Sequence, residues 1–95
     1  MEFSFTGEVW HWRGPAPYHY VTVPEDVSTV LLDVSKAITY GWGMIPAMIT
    51  IGDTEWKTSV FPKDGGHVIP VKTAVRQAEG VELGDQVLIT LRIAI

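Results

Sequence analysis

The chain contains no cysteine, which excludes a disulfide framework and any metal site built on thiolates. A cytoplasmic location is the simplest expectation from that absence. Positive charge is also scarce, because seven Lys and Arg residues are outnumbered by eleven Asp and Glu residues and the net charge is −4. The basic residues are dispersed along the sequence, so nucleic-acid binding is disfavoured as the dominant activity.

The sequence also has no long hydrophobic run. The longest uncharged stretch, from Ala37 to Gly52, is shorter than the roughly 20 apolar residues of a membrane span. Gly41, Gly43 and Pro46 interrupt it. Residues 1–4 show neither the basic start nor the apolar core of a signal peptide. We therefore expect no membrane segment.

What the chain does contain is typical of a globular domain. Of its 95 residues, 46% are hydrophobic and 19% are charged, which disfavours disorder. A chain of this length buries roughly two-thirds of the surface that it exposes when unfolded. We expect one domain over residues 1–95 with one core, as a monomer or a homodimer.

Alternating apolar and polar residues predict a mainly β fold. Strands are expected over residues 3–12, 18–23, 44–51, 54–60, 67–70 and 85–95. In the first of them, Trp10 and Trp12 lie on the face opposite Phe3 and Phe5. Gly52-Asp53 suits a two-residue type II′ hairpin turn, and residues 62–66 are predicted as a surface loop.

Two short helices are predicted from apolar residues at the spacing i, i+3, i+4, i+7. Their stripes are Val27, Val30, Leu31 and Val34, and Val71, Ala74, Val75 and Ala78. The first helix, of two to three turns, is predicted to have Pro24 at its first position, and Gly80 is predicted to be the residue just past the end of the second helix. Each half of the chain thus supplies strands, an apolar-Pro dipeptide, a helix and a further strand. This pattern suggests a pseudo-repeat, although common elements would also produce it.

Motifs along most of the chain resemble one bacterial family. They lie at residues 3–10, 21–24, 41–46, 51–62, 68–80 and 84–87, and include Gly41-Trp42-Gly43-Met44-Ile45-Pro46. Together they are similar to the domain of unknown function 1905 (DUF1905). The resemblance implies a small closed β-barrel of the double-split type, with about six to seven strands and two short helices. It implies no established activity.

The segment from Val68 to Val87 is similar, by itself, to the signature of AbrB-like DNA-binding domains. It covers barely a quarter of the chain. The resemblance implies a nucleic-acid-binding or regulatory alternative, and Lys72 and Arg76 would then contribute to binding. A DNA-binding domain is expected to have a basic surface, whereas this chain has more acidic than basic residues.

Aromatic side chains are the first candidates for a binding site. The four tryptophans and three tyrosines could line a ligand cleft or a protein interface, since such rings combine a large contact area with a polar group: Trp10, Trp12, Trp42, Trp56, Tyr18, Tyr20 and Tyr40. Of these, Trp10, Trp12, Tyr18 and Trp42 are the predicted binding residues. The alternative is that Trp10 and Trp12 pack against the loop of Pro15 and Pro17 and serve the core.

The histidines and two basic residues are further candidates. His67 follows Gly65-Gly66 and is expected to be the most exposed histidine, so it joins the candidate binding surface. With His11 and His19 it would suit zinc only if barrel closure brought the three together, and no metal or cofactor is predicted. Lys72 and Arg76, one helical turn apart, are a possible anion contact. Structurally, Arg76 could instead pair with Asp85 or with carbonyls near Gly80.

The leading interpretation is a non-enzymatic module that binds a small ligand or a protein. An enzyme with a pocket at the barrel mouth is the weakest alternative. Ser59, His67 and Asp64 could be written as a triad, but no nucleophile elbow or oxyanion-hole motif accompanies them.

Overall fold

The computed structural model describes residues 1–13, 18–38 and 43–93. Its elements form a closed antiparallel barrel with two helices. The strands are β1 (Glu2–Trp12), β2 (Tyr18–Thr22), β3 (Ile45–Ile51), β4 (Thr54–Lys63), β5 (Gly66–Val71) and β6 (Gln86–Arg92). Helix α1 (Glu25–Ile38) connects β2 to β3, and helix α2 (Thr73–Glu79) connects β5 to β6. The predicted mainly β barrel is confirmed, with six strands.

The strand order around the barrel is β1-β2-β5-β4-β3-β6, and β6 closes on β1. Exchanging the half β1-β2-α1-β3 with the half β4-β5-α2-β6 leaves this set of neighbours unchanged. The pairing therefore has the twofold pattern that a pseudo-repeat predicts. The two prolines are not equivalent, because Pro24 immediately precedes α1 whereas Pro70 lies within β5.

The core occupies the barrel interior, where alternate residues of every strand meet. Its fully buried side chains include Val9, Val21, Ile45, Ile49, Val60, Ile69, Ile89 and Leu91. Burying a side chain of this size stabilises the fold by roughly 1.5–3 kcal/mol. Because successive side chains point to opposite faces, the neighbours of these residues lie on the outer surface.

Both two-residue turns of the β3-β4-β5 meander use positive φ angles. Gly52 has φ +57° between Ile51 and Thr54, as the predicted type II′ turn requires. The surface loop predicted for residues 62–66 is wrong in part, because β4 continues to Lys63 and β5 begins at Gly66. Asp64 and Gly65 form the turn with φ 51° and 81°, the pair of positive values typical of type I′.

Helix α1 is longer than predicted, with 14 residues, and its buried face is shifted. Leu31 and Val34 are buried as expected, but Val30 is 38% exposed. Ser28 lies on the buried face instead. The apolar spacing predicted the wrong face there because Ser28 makes a polar contact with the barrel, which is described below.

Helix α2 has only seven residues, and Val75 is its buried residue. The predicted stripe is otherwise wrong, since Val71 belongs to β5 and Ala74 and Ala78 are exposed. A helix of two turns touches the barrel along too short a length for a full stripe. Gly80 ends it with φ 63°, as predicted. Within the described residues, no helix is long and apolar enough to cross a membrane.

Candidate ligand-binding groove

Aromatic rings from three strands form a continuous wall on the outside of the barrel. The register pairs Trp10 with Tyr20 and Trp12 with Tyr18 across β1 and β2. The Tyr20 ring centroid lies 5.3 Å from that of Trp10, 6.1 Å from that of Tyr18 and 5.4 Å from that of Phe61. These are favourable distances for tilted and edge-to-face contacts. We call Trp10, Tyr18, Tyr20 and Phe61 the aromatic wall.

An open groove of about 730 Å³ lies against this wall. Its apolar lining comes from β2, β4, β5 and the start of β3, and its charged residues are both lysines. The lining residues are Tyr18, Tyr20, Met44, Pro46, Lys57, Thr58, Ser59, Phe61, Pro70 and Lys72. The groove therefore offers flat apolar contact together with hydroxyl and ammonium groups.

Tyr20 is the most enclosed part of the wall. It is 6% exposed, whereas Tyr18 is 52% exposed. Burial, with a smaller contribution from Tyr18, raises the pKa of the Tyr20 phenol above its ordinary value. The Tyr20 hydroxyl consequently stays protonated at neutral pH and can donate a hydrogen bond.

Trp10 and Trp12 lie on the outer face and not in the barrel core. Trp10 is half-buried and its Nε1 donates to Thr22 Oγ1 at 2.9 Å. Trp12 is 39% exposed, and Lys63 Nζ lies 3.7 Å from its ring centroid in a cation–π contact. Tyr18 lines the groove directly, while Trp10 supports it by packing on Tyr20.

Part of the predicted surface lies outside the described residues. Trp42 is one of these residues. Pro15 and Pro17 are two others, so the predicted packing of Trp10 and Trp12 against them also lies outside the described residues.

The expectation that His67 is exposed is wrong. His67 is 4% exposed, and its Nδ1 lies 2.5 Å from the hydroxyl of Ser28. Burial lowers the pKa of its imidazole. His67 lines a cleft beneath α1 that shares no residue with the groove, whereas Ser59 lines the groove itself. The structure therefore pairs His67 with Ser28 and does not assemble Ser59, His67 and Asp64 in one cavity.

A second cavity of about 650 Å³ lies at one end of the barrel, beside α2. We call it the chamber. Its lining residues are His11, Tyr18, His19, Thr58, Pro70, Val71, Lys72, Thr73 and Arg76. Tyr18, Thr58, Pro70 and Lys72 also line the groove, so the two cavities are contiguous. The imidazoles of His11 and His19 are cross-strand neighbours with centroids 5.1 Å apart.

Lys72 and Arg76 both line the chamber, as their predicted grouping requires. Arg76 Nη2 donates to Thr73 Oγ1 at 3.2 Å, but its buried Nε has no acceptor among the described residues. The predicted ion pair with Asp85 is wrong, because the salt bridges among the described residues do not include Arg76. The Asp85 carboxylate accepts from the backbone N–H of Glu82 at 2.9 Å.

The other predicted partner of the Arg76 side chain, a carbonyl near Gly80, is not found either, because the guanidinium hydrogen bond in the described residues goes to Thr73. Instead, the Arg76 backbone carbonyl accepts from the N–H groups of Gly80 and Val81.

No metal centre is assembled in the part of the chain that the structure describes. No group of three or more His, Asp or Glu side chains there is placed to hold an ion. His11 and His19 are adjacent, and His67 lines the other cleft.

Two features of the site were not predicted from the sequence. Phe61 completes the wall, and the pairing of His11 with His19 forms one side of the chamber. Tyr20 was among the predicted aromatic residues, and strand alternation places it on the same face as Tyr18. The meeting of β2 with β4 across β5 is a property of the closed barrel, and the strand pattern alone does not specify it.

A family model described as "Domain of unknown function (DUF1905)" matches residues 5–91. No curated protein matches the chain.

Proposed function

We propose that this chain, which belongs to the DUF1905 family of domains of unknown function, is a non-enzymatic module. It binds a small organic ligand in the groove. The observation that supports this most directly is the aromatic wall beside a groove of about 730 Å³. Small-molecule sites are commonly concave, mostly apolar and of roughly 300–1,000 Å³.

The groove is suited to a flat ligand. Tyr18, Tyr20 and Phe61 present rings to it, and Pro46 and Pro70 add rigid apolar surface. Stacking on such rings contributes about 0.5–1.5 kcal/mol beyond burial of area. Hydroxyl groups of the tyrosines and of Thr58 are available to orient polar substituents.

The groove is also largely preformed. Tyr18, Tyr20, Phe61 and Pro70 lie on hydrogen-bonded strands, and Pro70 is the register partner of Tyr20. Little conformational entropy is lost when a ligand meets rings that are already ordered.

Two other occupants have to be distinguished by experiment. A protein partner would use the same wall together with exposed Trp12. A double-stranded DNA would place its phosphates against Lys57, Lys72 and Arg76, as the AbrB-like alternative predicts, and its affinity would fall as the salt concentration rises.

The test is a proton–nitrogen NMR screen of the labelled chain at low salt against a small-molecule library and a mixed double-stranded DNA. We expect aromatic compounds to shift amides of β2, β4 and β5 around the groove. Phe61→Ala should lower the affinity for such a ligand by about tenfold, which is equivalent to the loss of one good ring contact.

Leu88→Ala is the matched control, since Leu88 is a large apolar side chain on β6 that is 62% exposed. It should leave ligand affinity unchanged. Compounds that shift no groove amide, or shifts only with DNA, would overturn the small-ligand proposal.

A further inference from the structure

We propose that the groove and the chamber form one site for a small aromatic acid, whose carboxylate or other oxyanion lies in the chamber while its apolar body lies in the groove. The inference rests on the proposed function and adds the chemical class of the ligand. It follows from the charges of the lining, from an unpartnered donor and from the contiguity of the two cavities.

The charges are all of one sign. Lys57, Lys72 and Arg76 are the charged residues of the two linings, and neither lining contains Asp or Glu. In a chain with a net charge of −4, this is a local reversal of the overall charge. Such a concentration of cations in a cavity attracts an anion.

The cations are also available. Among the described residues, the salt bridges are formed by Lys36 and Arg92, and none involves a cation of the groove or the chamber. Arg76 Nε is buried without an acceptor, and an unsatisfied buried donor is costly. Because guanidinium groups bind oxyanions through more than one N–H, an oxyanion in the chamber would supply the missing acceptor.

Two histidines add donors to the same chamber. His11 and His19 lie on neighbouring strands, and the hydroxyls of Thr58 and Thr73 line the same space. Burial, Arg76 and His11 lower the pKa of His19, because each of them disfavours its positive charge. The titratable groups facing His19 across the chamber are His11 of β1, Tyr18 of β2, Lys72 between β5 and α2, and Arg76 of α2.

Because the groove and the chamber adjoin, one ligand can reach into both, and this constrains its shape. Tyr18, Thr58, Pro70 and Lys72 line both cavities. A molecule that places its anionic end near Arg76 can therefore extend its ring past Tyr18 towards Phe61. The ligand combines one oxyanion with one flat apolar body.

The test uses two probes of nearly the same shape, indole-3-acetate and its neutral analogue indole-3-acetamide, in which an NH2 group replaces one carboxylate oxygen. Their binding is followed by NMR of the labelled chain. We expect the acid to bind about tenfold more tightly or better, as charge-assisted hydrogen bonds allow. It should shift groove amides together with the ring signals of His11 and His19. Inorganic phosphate alone should shift signals of Thr73 and Arg76, which line the chamber but not the groove, and not those of Met44 and Phe61, which line the groove but not the chamber.

Matched variants locate the effect. Arg76→Gln should abolish the preference for the acid while the amide still binds. Arg92→Gln makes the same charge change on β6, which is not adjacent to β5, and should preserve the preference. Folding of both variants is checked from the dispersion of their spectra.

A pH series gives an independent readout. A bound anion stabilises imidazolium, so indole-3-acetate should raise the pKa of His19 and bind more tightly at about pH 6 than at about pH 8. Equal binding of acid and amide in the groove would overturn this inference and leave the proposed function standing. Absence of groove shifts with both probes and with the compound library would overturn both.

Discussion

The hydroxyl of Ser28 lies 2.5 Å from Nδ1 of His67, and this buried contact joins α1 to β5. Both side chains are almost fully buried. If the hydrogen bond were lost, water could not readily replace the missing partner, and the unpaired buried group would destabilise the fold. The pair explains why a polar residue occupies the inner face of α1. It also has consequences that can be measured.

Ser28→Ala should lower the free energy of unfolding by about 1–3 kcal/mol, because it leaves a buried imidazole nitrogen unsatisfied. Urea unfolding followed by tryptophan fluorescence measures the change. Ser35→Ala is the control on the same helix, since Ser35 donates to the Leu32 carbonyl of its own helix at 2.8 Å and, in the described part of the chain, to no side chain of the barrel. We expect a smaller loss there. Equal effects of the two substitutions would contradict a special role for the Ser28 contact.

Stability should fall as pH decreases below about 6.5, the ordinary value for histidine. Burial lowers the pKa of His67 in the folded state, so the unfolded chain takes up its proton first. His19 acts in the same direction. Each histidine contributes at most about 1.4 kcal/mol per pH unit between its folded and unfolded pKa values.

Urea midpoints between about pH 8 and pH 5 test this dependence. His67→Gln keeps a hydrogen-bonding side chain but does not titrate, so its stability should fall less over the same range. A variant with the same pH dependence as the native chain would exclude His67 as a contributor.

Gly7→Ala should destabilise the barrel by about 1–3 kcal/mol, the usual cost of overpacking. A Cβ at Gly7 would lie 2.5 Å from Val21 Cγ1. Since Val21→Ala removes that methyl, the double variant should recover part of the loss, which a double-mutant cycle measures. Gly66→Ala is the control, because its nearest contact would be an ordinary 3.8 Å. Additive effects of the two single substitutions would contradict the steric explanation.

Trp56→Phe should be tolerated far better than Trp56→Ala. The indole is 8% exposed and belongs to the core, but its Nε1 has no acceptor among the described residues. Phenylalanine removes that donor and keeps most of the apolar volume, whereas alanine leaves a cavity costing about 3–5 kcal/mol. Thermal unfolding of the two variants compares these losses. A Phe variant as unstable as the Ala variant would show that the indole is bonded.

Trp10→Ala should impair the groove more than Trp12→Ala. Trp10 packs on Tyr20 and donates to Thr22, so its removal loosens the wall. Trp12 is more exposed and contacts Lys63. Binding of an aromatic ligand should therefore weaken for Trp10→Ala with the fold retained, and change little for Trp12→Ala. The reverse order would indicate that the ligand lies on β1 itself.

Much of the barrel was predictable because strand alternation and turn chemistry are local. Val87, Ile89 and Leu91 are all buried on one face, and Gly52 has the positive φ that its turn needs. The Asp64-Gly65 turn carried an equally good local signal, and the prediction of a loop there overlooked it.

The rest depended on contacts between distant segments. Val30 faces outward and Ser28 inward because His67, 39 residues away from Ser28, supplies a hydrogen-bond partner. The grouping of Lys72 with Arg76 came from helical spacing, but their meeting with His11 and His19 needs barrel closure. Local patterns identified single members of the site and could not assemble it.

The ladder between β6 and β1 brings residues from opposite ends of the sequence together. The Met1 amino group donates to the Ile93 carbonyl at 3.1 Å, and the Ile93 N–H donates to the Met1 carbonyl at 2.8 Å. A circular permutant that joins these ends through a short linker and opens the Gly52-Asp53 turn would begin at β4. Because the pairing is unchanged when the halves are exchanged, it would read β4-β5-α2-β6-β1-β2-α1-β3, the same order of strands and helices as the native chain.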